Sequence, residues 1–301
     1  SLCGRAMGAK WRSTIGFERR YNPALQIDDR EKFIASLTED MPPAPDHFSR
    51  CSDINRRGPA LVEEMSPPQK MSPKEFRTAA GADESMVLDV RRYDAFGGQH
   101  VPGAWSIDFQ GNFPTFAGWV VPPDADIYLV ATDAEEARQA AVWLRRVGLD
   151  RARGWLDSGM FAWATAGLPT SHVPQLSVLE ASEFHEGELD SVLLDVRAPS
   201  EFDDSHVGGA VNIPAPDLRT RYDELDSERE TMVVCSTGHR STLAASILLS
   251  RGVRKIYNVA GGMKGLSAAA LAPACVMCSI PHGPKLLVRK VGDMIEKPAG
   301  A

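Results

Sequence analysis

The chain has 301 residues, 43% of them apolar and 24% charged, with 40 Asp and Glu against 33 Lys and Arg for a formal net charge of −7. That length supports two or three domains, each able to bury a core without disulfide staples. The acidic balance lacks the clustered basic face that nucleic acid requires, and no apolar run approaches the roughly 18 to 20 residues that span a bilayer. Neither a nucleic-acid partner nor a membrane partner is expected. The cysteines, Cys3, Cys51, Cys235, Cys275 and Cys278, form an odd, scattered set. A disulfide framework is therefore not expected, and a reducing, cytoplasmic setting is.

Residues 1 to about 60 read as one short amphipathic helix, Asp29 to Leu37, in a segment that is otherwise mostly loop. A Pro-rich stretch from Arg57 to Pro73 separates it from an internal repeat. Leu88-Asp89-Val90-Arg91 returns as Leu194-Asp195-Val196-Arg197, and His100, Gly103, Ala104 and Ile107 return at the same offset as His206, Gly209, Ala210 and Ile213. Further on, Leu129-Val130-Ala131 aligns with Val233-Val234-Cys235. Two homologous α/β domains are expected, 70–168 and 177–266, each a mostly parallel sheet flanked by helices. Leu168 to Ser177 reads as an exposed linker between them, and 267–301 as a tail without clear periodicity.

In the second domain the pattern predicts strands at Ser191 to Val196, Thr231 to Cys235 and Lys255 to Val259, with a polar helical turn at Ser200 to Asp204. It also predicts a helix beginning near Ser241, whose Leu243, Ala244, Ile247 and Leu248 put one apolar face toward the sheet. The strand that stops at Cys235 is followed by Ser236-Thr237-Gly238-His239-Arg240-Ser241. Backbone N–H groups of such a loop, with Gly238 free to turn left-handed, form an anion nest. The positive end of the helix dipole and the charge of Arg240 add to it, favouring negative charge on the Cys235 sulfur or on a sulfur attached to it. A cysteine that merely packs requires no such loop.

Cys235-x-x-Gly238-x-Arg240-Ser241 is preceded by Asp195-Val196-Arg197, Glu201-Phe202, His206 and Gly209-Ala210-Val211-Asn212-Ile213-Pro214, and followed by Gly261-Gly262-Met263. Together these closely resemble the rhodanese sulfurtransferases. The resemblance implies that Cys235 takes a sulfane sulfur from a small-molecule donor, thiosulfate or a persulfide such as glutathione persulfide, and passes it to a thiol acceptor. It implies no cofactor or metal. Ser236, Thr237, Gly238, His239, Arg240, Ser241 and Arg197 are the expected substrate-binding residues, with Arg240 supplying charge at the rim. Related phosphatases and arsenate reductases have a loop longer by one residue, and the four residues between Cys235 and Arg240 suit a single sulfur atom.

In the first repeat Ala131 stands where the cysteine belongs, followed by Thr132-Asp133-Ala134-Glu135-Glu136, whose three carboxylates would repel an anion. That copy is expected to be catalytically silent, with a scaffolding, docking or subunit-contact role compatible with a homo-oligomer. Asp89, Arg91 and His100 persist there, so Asp195, Arg197 and His206 read more as loop-orienting than as reacting groups. His239 reads equally as a rim contact to substrate and as a solvated loop residue.

In the N-terminal segment, Ser13-Thr14-Ile15-Gly16-Phe17-Glu18-Arg19-Arg20-Tyr21-Asn22-Pro23 and Asn55-Arg56-Arg57-Gly58-Pro59 resemble the C-terminal end of the metallo-β-lactamase-fold persulfide dioxygenases that are sometimes fused to rhodanese domains. The metal-binding His-x-His-x-Asp-His cluster of that family does not occur in this chain. Cys275, Cys278 and His282 are too few for a structural zinc site and read as incidental to a loose tail. Two other readings stay open at this point: a non-catalytic docking or redox-sensing module, and a fragment of a dioxygenase-rhodanese fusion.

Overall fold

The computed structural model describes residues 12–39, 45, 47–110, 112–186, 191–271 and 295–296. The chain divides into two compact units, Ser1–Pro45 and Asp46–Ala301. In the first unit α1 (Ile15–Tyr21) starts at Thr14, whose hydroxyl accepts the Phe17 N–H, and α2 (Arg30–Thr38) starts at Asp29, whose carboxylate accepts the Lys32 N–H. The helix expected at Asp29 to Leu37 is present, though none of its side chains is buried. The expectation of loop elsewhere is corrected by α1, by a 3-10 turn at Pro23–Gln26 and, in the second unit, by α3 (His47–Arg57). Arg50 of α3 reaches the Val147 carbonyl with two N–H groups.

The second unit holds two five-stranded sheets. The first repeat supplies β1 (Gln69–Met71), α4 (Pro73–Ala80), β2 (Ser85–Asp89), α5 (Tyr93–Gly98), β3 (Trp105–Ser106), α6 (Phe113–Val120), β4 (Asp126–Val130), α7 (Ala134–Arg145), β5 (Ala152–Leu156) and α8 (Gly159–Thr165). The second supplies β6 (Gln175–Leu176), α9 (Val178–Glu186), β7 (Ser191–Asp195), α10 (Pro199–Asp204), β8 (His206–Val207), β9 (Val211–Asn212), α11 (Leu218–Arg221), β10 (Glu230–Val234), α12 (His239–Ser250), β11 (Ile256–Val259) and α13 (Gly262–Leu271). Strand order is β1-β5-β4-β2-β3 in one sheet and β6-β11-β10-β7-β9 in the other, with parallel pairings throughout. Asp89 lies opposite Val130 and Asp195 opposite Val234, so the repeat seen in sequence is a repeat in register.

Two boundaries differ from expectation. Leu168 to Ser177 is not simply exposed: Val173 is buried with its N–H on the Gly97 carbonyl, and Gln175–Leu176 forms β6 against β11. Two-residue strands carry no period, which hides them from pattern reading. The tail does not begin at 267, because α13 runs through Leu271. Within the stretch read as a tail, β12 (Ile295–Glu296) pairs antiparallel with β8. Cys3, Cys275, Cys278 and His282 lie outside the described residues.

The two repeats share a core. On β10, Met232 and Val234 face a small cluster with Leu193, Val207, Val259, Met263 and Leu266. Val233 and Cys235 face the other way, into a cluster that includes Leu243 and Ile247 of α12 and continues into the first repeat. The helix expected to bury one face is in fact buried from Ser241 to Leu248 on all sides. Its outer side meets the first repeat, where the Ser106 N–H donates to Ser246 Oγ at 3.0 Å and Trp105 Nε1 donates to Ser250 Oγ at 3.0 Å. Small Ser, Ala and Thr side chains make that close approach feasible, and burying each of Leu243, Ile247 and Leu248 contributes roughly 1.5 to 3 kcal/mol.

Candidate active site

β10 delivers Cys235 to the carboxyl edge of the second sheet, where open parallel sheets place their ligand sites. Its side chain is 1% exposed. Gly238, at φ +106°, turns the chain so that its N–H points back at Cys235 Sγ over 3.1 Å. Ser241, one turn into α12, donates its hydroxyl to the same sulfur at 3.3 Å. Both donors, together with the N-terminus of α12, stabilise negative charge on that atom. Among the described loop residues, Gly238 contributes the one amide within hydrogen-bond distance of Sγ.

The loop is held from behind. Gly262, at φ +53°, approaches so closely that a Cβ there would lie 2.1 Å from the Cys235 carbonyl oxygen and 2.8 Å from the Thr237 nitrogen. The Met263 and Lys264 N–H groups donate to the carbonyls of Cys235 and Ser236, and Thr242 Oγ1 donates to the Gly238 carbonyl. With the carbonyls tied back in this way, the loop presents N–H rather than C=O to the sulfur. Thr237 sits half-buried over Gly262.

Arg240, expected to supply charge at the rim, is paired with Glu201. Its Nη1 and Nη2 donate to the two Glu201 oxygens at 2.5 and 2.7 Å, and Nη2 also donates to Ser236 Oγ at 2.7 Å. Ser236 Oγ in turn donates to Glu201 at 3.0 Å. The hydrogen bond from Arg240 is the main reason the Glu201 carboxyl lies at about 2, well below its ordinary value. Arg240 and Cys235 still couple electrostatically, but the pair with Glu201 leaves almost no net charge beside the loop. Ser236 and Arg240 thus brace the loop against α10 rather than face the sulfur.

Arg197 is likewise engaged. It forms a bidentate pair with buried Asp195 and donates to the Ser205 carbonyl at 2.7 Å, with no hydrogen bond to the Cys235 loop among the described residues. Arg91 does the same with Asp89 and the Gln99 carbonyl in the first repeat. His206 stacks on Phe202 and bonds its carbonyl, as His100 does with Phe96. These groups clip the turn after each central strand.

The site includes residues that sequence reasoning did not assign. Glu201 was legible only as part of a motif, although an acidic residue three positions after Ala198, at a helix start, is a capping signal; it accepts the Ala198 N–H. Asp108 and Tyr93 come from the first repeat. His239 Nδ1 lies 3.1 Å from Asp108 Oδ2, and its ring meets Tyr93 edge to face at a centroid distance of 4.8 Å. Nothing local in the sequence links those positions.

The rhodanese-like domain family matches this chain twice, at residues 72–166 and 180–269, which together make up more than half of it. The chain belongs to the rhodanese-like family. Its second rhodanese-like domain carries the cysteine loop and its first lacks it. An uncharacterized protein of Bacillus subtilis, YqhL, is 37% identical over 89 residues, covering 30% of this chain and 71% of that protein. The thiosulfate sulfurtransferase GlpE of Tolumonas auensis is 35% identical over 79 residues, covering 26% of this chain and 74% of that one. Among solved structures, a metallo-beta-lactamase from Staphylococcus aureus aligns at 26% identity and a TM-score of 0.40, over 50% of this chain and 42% of that one. Among the described residues, no three His, Cys, Asp or Glu side chains are grouped to hold a metal ion, and no helix is long and apolar enough to cross a membrane.

Proposed function

We propose that this protein is a sulfurtransferase in which Cys235 carries the sulfur. The observation that carries the reading is the pair of donors, the Gly238 N–H and the Ser241 hydroxyl, directed at one buried sulfur at the mouth of a helix. In the first half-reaction the Cys235 thiolate attacks the outer sulfur of thiosulfate. The S–S bond of thiosulfate breaks, sulfite leaves with the electron pair, and Cys235 becomes a persulfide. In the second half-reaction a thiol acceptor takes the outer sulfur and Cys235 returns as thiolate. A persulfide donor, such as glutathione persulfide, enters the same scheme with a thiolate as leaving group.

GlpE relatives that are thiosulfate sulfurtransferases support this reading, as does the four-residue spacing between Cys235 and Arg240. The motif resemblance of residues 1–60 to the end of a persulfide dioxygenase supports a place in sulfide and persulfide chemistry. Incubation with thiosulfate should add roughly 32 Da, lost on cyanide treatment and absent in Cys235→Ser. Thiocyanate release that persists in Cys235→Ser, or an intact protein that never gains the mass, refutes the proposal.

A further inference from the structure

The first repeat lacks a nucleophile yet sends two side chains to the active loop. Asp108 follows β3, its carboxylate only 5% exposed, and accepts the Tyr93 N–H at 3.2 Å on Oδ2 and the Gln110 N–H at 2.8 Å on Oδ1. Such a carboxylate is fixed in position before it meets His239. Tyr93 closes the other side: its ring packs on the imidazole and lies so near Gly238 that a Cβ there would come within 3.1 Å of it. His239 is the residue after the one whose N–H holds Cys235 Sγ, and its side chain is 42% exposed. Cys235 is buried, whereas the imidazole next to its loop is open to solvent.

We propose that Asp108 of the first repeat is a positioning residue for sulfur transfer, fixing His239 so that its Nε2 takes the proton of the incoming acceptor thiol. This rests on the reading of Cys235 as the sulfur carrier. With ionised Asp108 accepting from Nδ1–H, the tautomer is set and Nε2 is left with its lone pair. Imidazole is the side-chain base suited to proton transfer near neutral pH. The acceptor RSH gives its proton to Nε2, and the resulting RS⁻ attacks the outer sulfur of the Cys235 persulfide. A new S–S bond forms to the acceptor, the Cys235 Sγ–S bond breaks, and its electron pair stays on Sγ under the Gly238 N–H and the Ser241 hydroxyl. The departing RS–S⁻ takes the proton back from Nε2, so the products are RS–SH, neutral His239 and the Cys235 thiolate, with no external oxidant or reductant. Besides Asp108, Tyr93 meets the imidazole directly; Arg92 feels the charge of Asp108, and Arg240, next to His239 in the chain, is paired with Glu201 and feels the charge of Cys235.

The test loads the full chain with thiosulfate, removes the donor, and follows discharge of the persulfide by glutathione and, separately, by sulfite, a large share of which is already the nucleophilic dianion at neutral pH and needs no base. In His239→Gln the glutathione-to-sulfite rate ratio at pH 7 should fall roughly tenfold or more, with Asp108→Asn falling in the same direction by less. Raising the pH past the ionisation of the acceptor, about 8.5 for a free thiol, should close the gap, since a thiolate needs no base. A ratio unchanged in both variants, or a deficit that persists at high pH, overturns the proposal. Failure of the unsubstituted protein to load sulfur at all would instead overturn the reading of Cys235. His239 is half-exposed, so its variant keeps the test open should Asp108→Asn fail to fold.

Discussion

The two repeats share strand order, strand register, an Asp–Arg clip and a stacked His–Phe pair, and part company in the turn after the central strand. In the second repeat the turn directs an N–H and a hydroxyl at the Cys235 sulfur. In the first, Glu136 folds back so that its carboxylate accepts the Thr132 N–H at 2.6 Å, and Asp133 caps α7 by accepting the Glu136 N–H at 2.8 Å. The anticipated crowd of three repelling carboxylates is therefore partly resolved within the loop, since Glu135 pairs with Arg138 along the helix. The first loop carries its own internal anion where the second leaves room for a foreign one. Features common to both copies are thereby marked as scaffold, and what sets the copies apart lies in the turn after the central strand.

The largest effect that would sharpen this contrast is expected from paired glycine substitutions. Gly262→Ala drives a methyl against the Cys235 carbonyl and must displace the loop, so turnover should drop by roughly a hundredfold or more. Gly159→Ala, the equivalent change in the first repeat, meets the Ala131 carbonyl at 3.4 Å and should cost about 1 kcal/mol of stability at its strained φ, with much smaller loss of turnover. Equal loss of turnover in the two variants would erase the distinction between scaffold and site.

Next in size is an acid response. Burial holds His100 at about 4, below its ordinary 6.5. The unfolded chain binds this proton first, so the contribution to stability is complete above 6.5 and is lost as the pH falls from there toward 4, amounting to about 3 kcal/mol. Denaturant titrations across that range should show the loss, and His100→Gln should flatten it; an identical slope in the variant would assign the acid response elsewhere. Smallest of all, Ala131→Cys in a Cys235→Ser background should acquire no sulfur from thiosulfate by intact mass, because the Thr132 N–H is already committed to Glu136. A gain of sulfur there would show that the turn is not what separates the copies.

How much of this was legible in the sequence follows from the range of each interaction. Register and the cysteine turn were legible because strand period, glycine placement and the recurrence of Asp-Val-Arg are local. The helix behind Cys235 is legible in its apolar positions, yet the burial of Ser246 against Ser106 and the hydrogen bond of Ser250 to Trp105 are not, since they depend on contacts between residues far apart in the chain. The recurrence of Asp-Val-Arg in both repeats already marks Arg197 as a loop-orienting group, whereas Arg240 reads in the sequence as a charge at the rim because its partner Glu201 is matched to it by geometry rather than by composition. Asp108 and Tyr93 escaped for the same reason: a residue in a copy without a nucleophile gives no chemical signal of its own.

The enclosure of α12 has a further consequence. A protease cut or a gene truncation that freed the second repeat would lay bare the flank of that helix lined by Ala, Ser and Leu, and the lone fragment would tend to clump or loosen around its own reactive cysteine. Joint melting of the two repeats in a single transition is the expected outcome, with the first repeat serving as the lid on its twin's central helix.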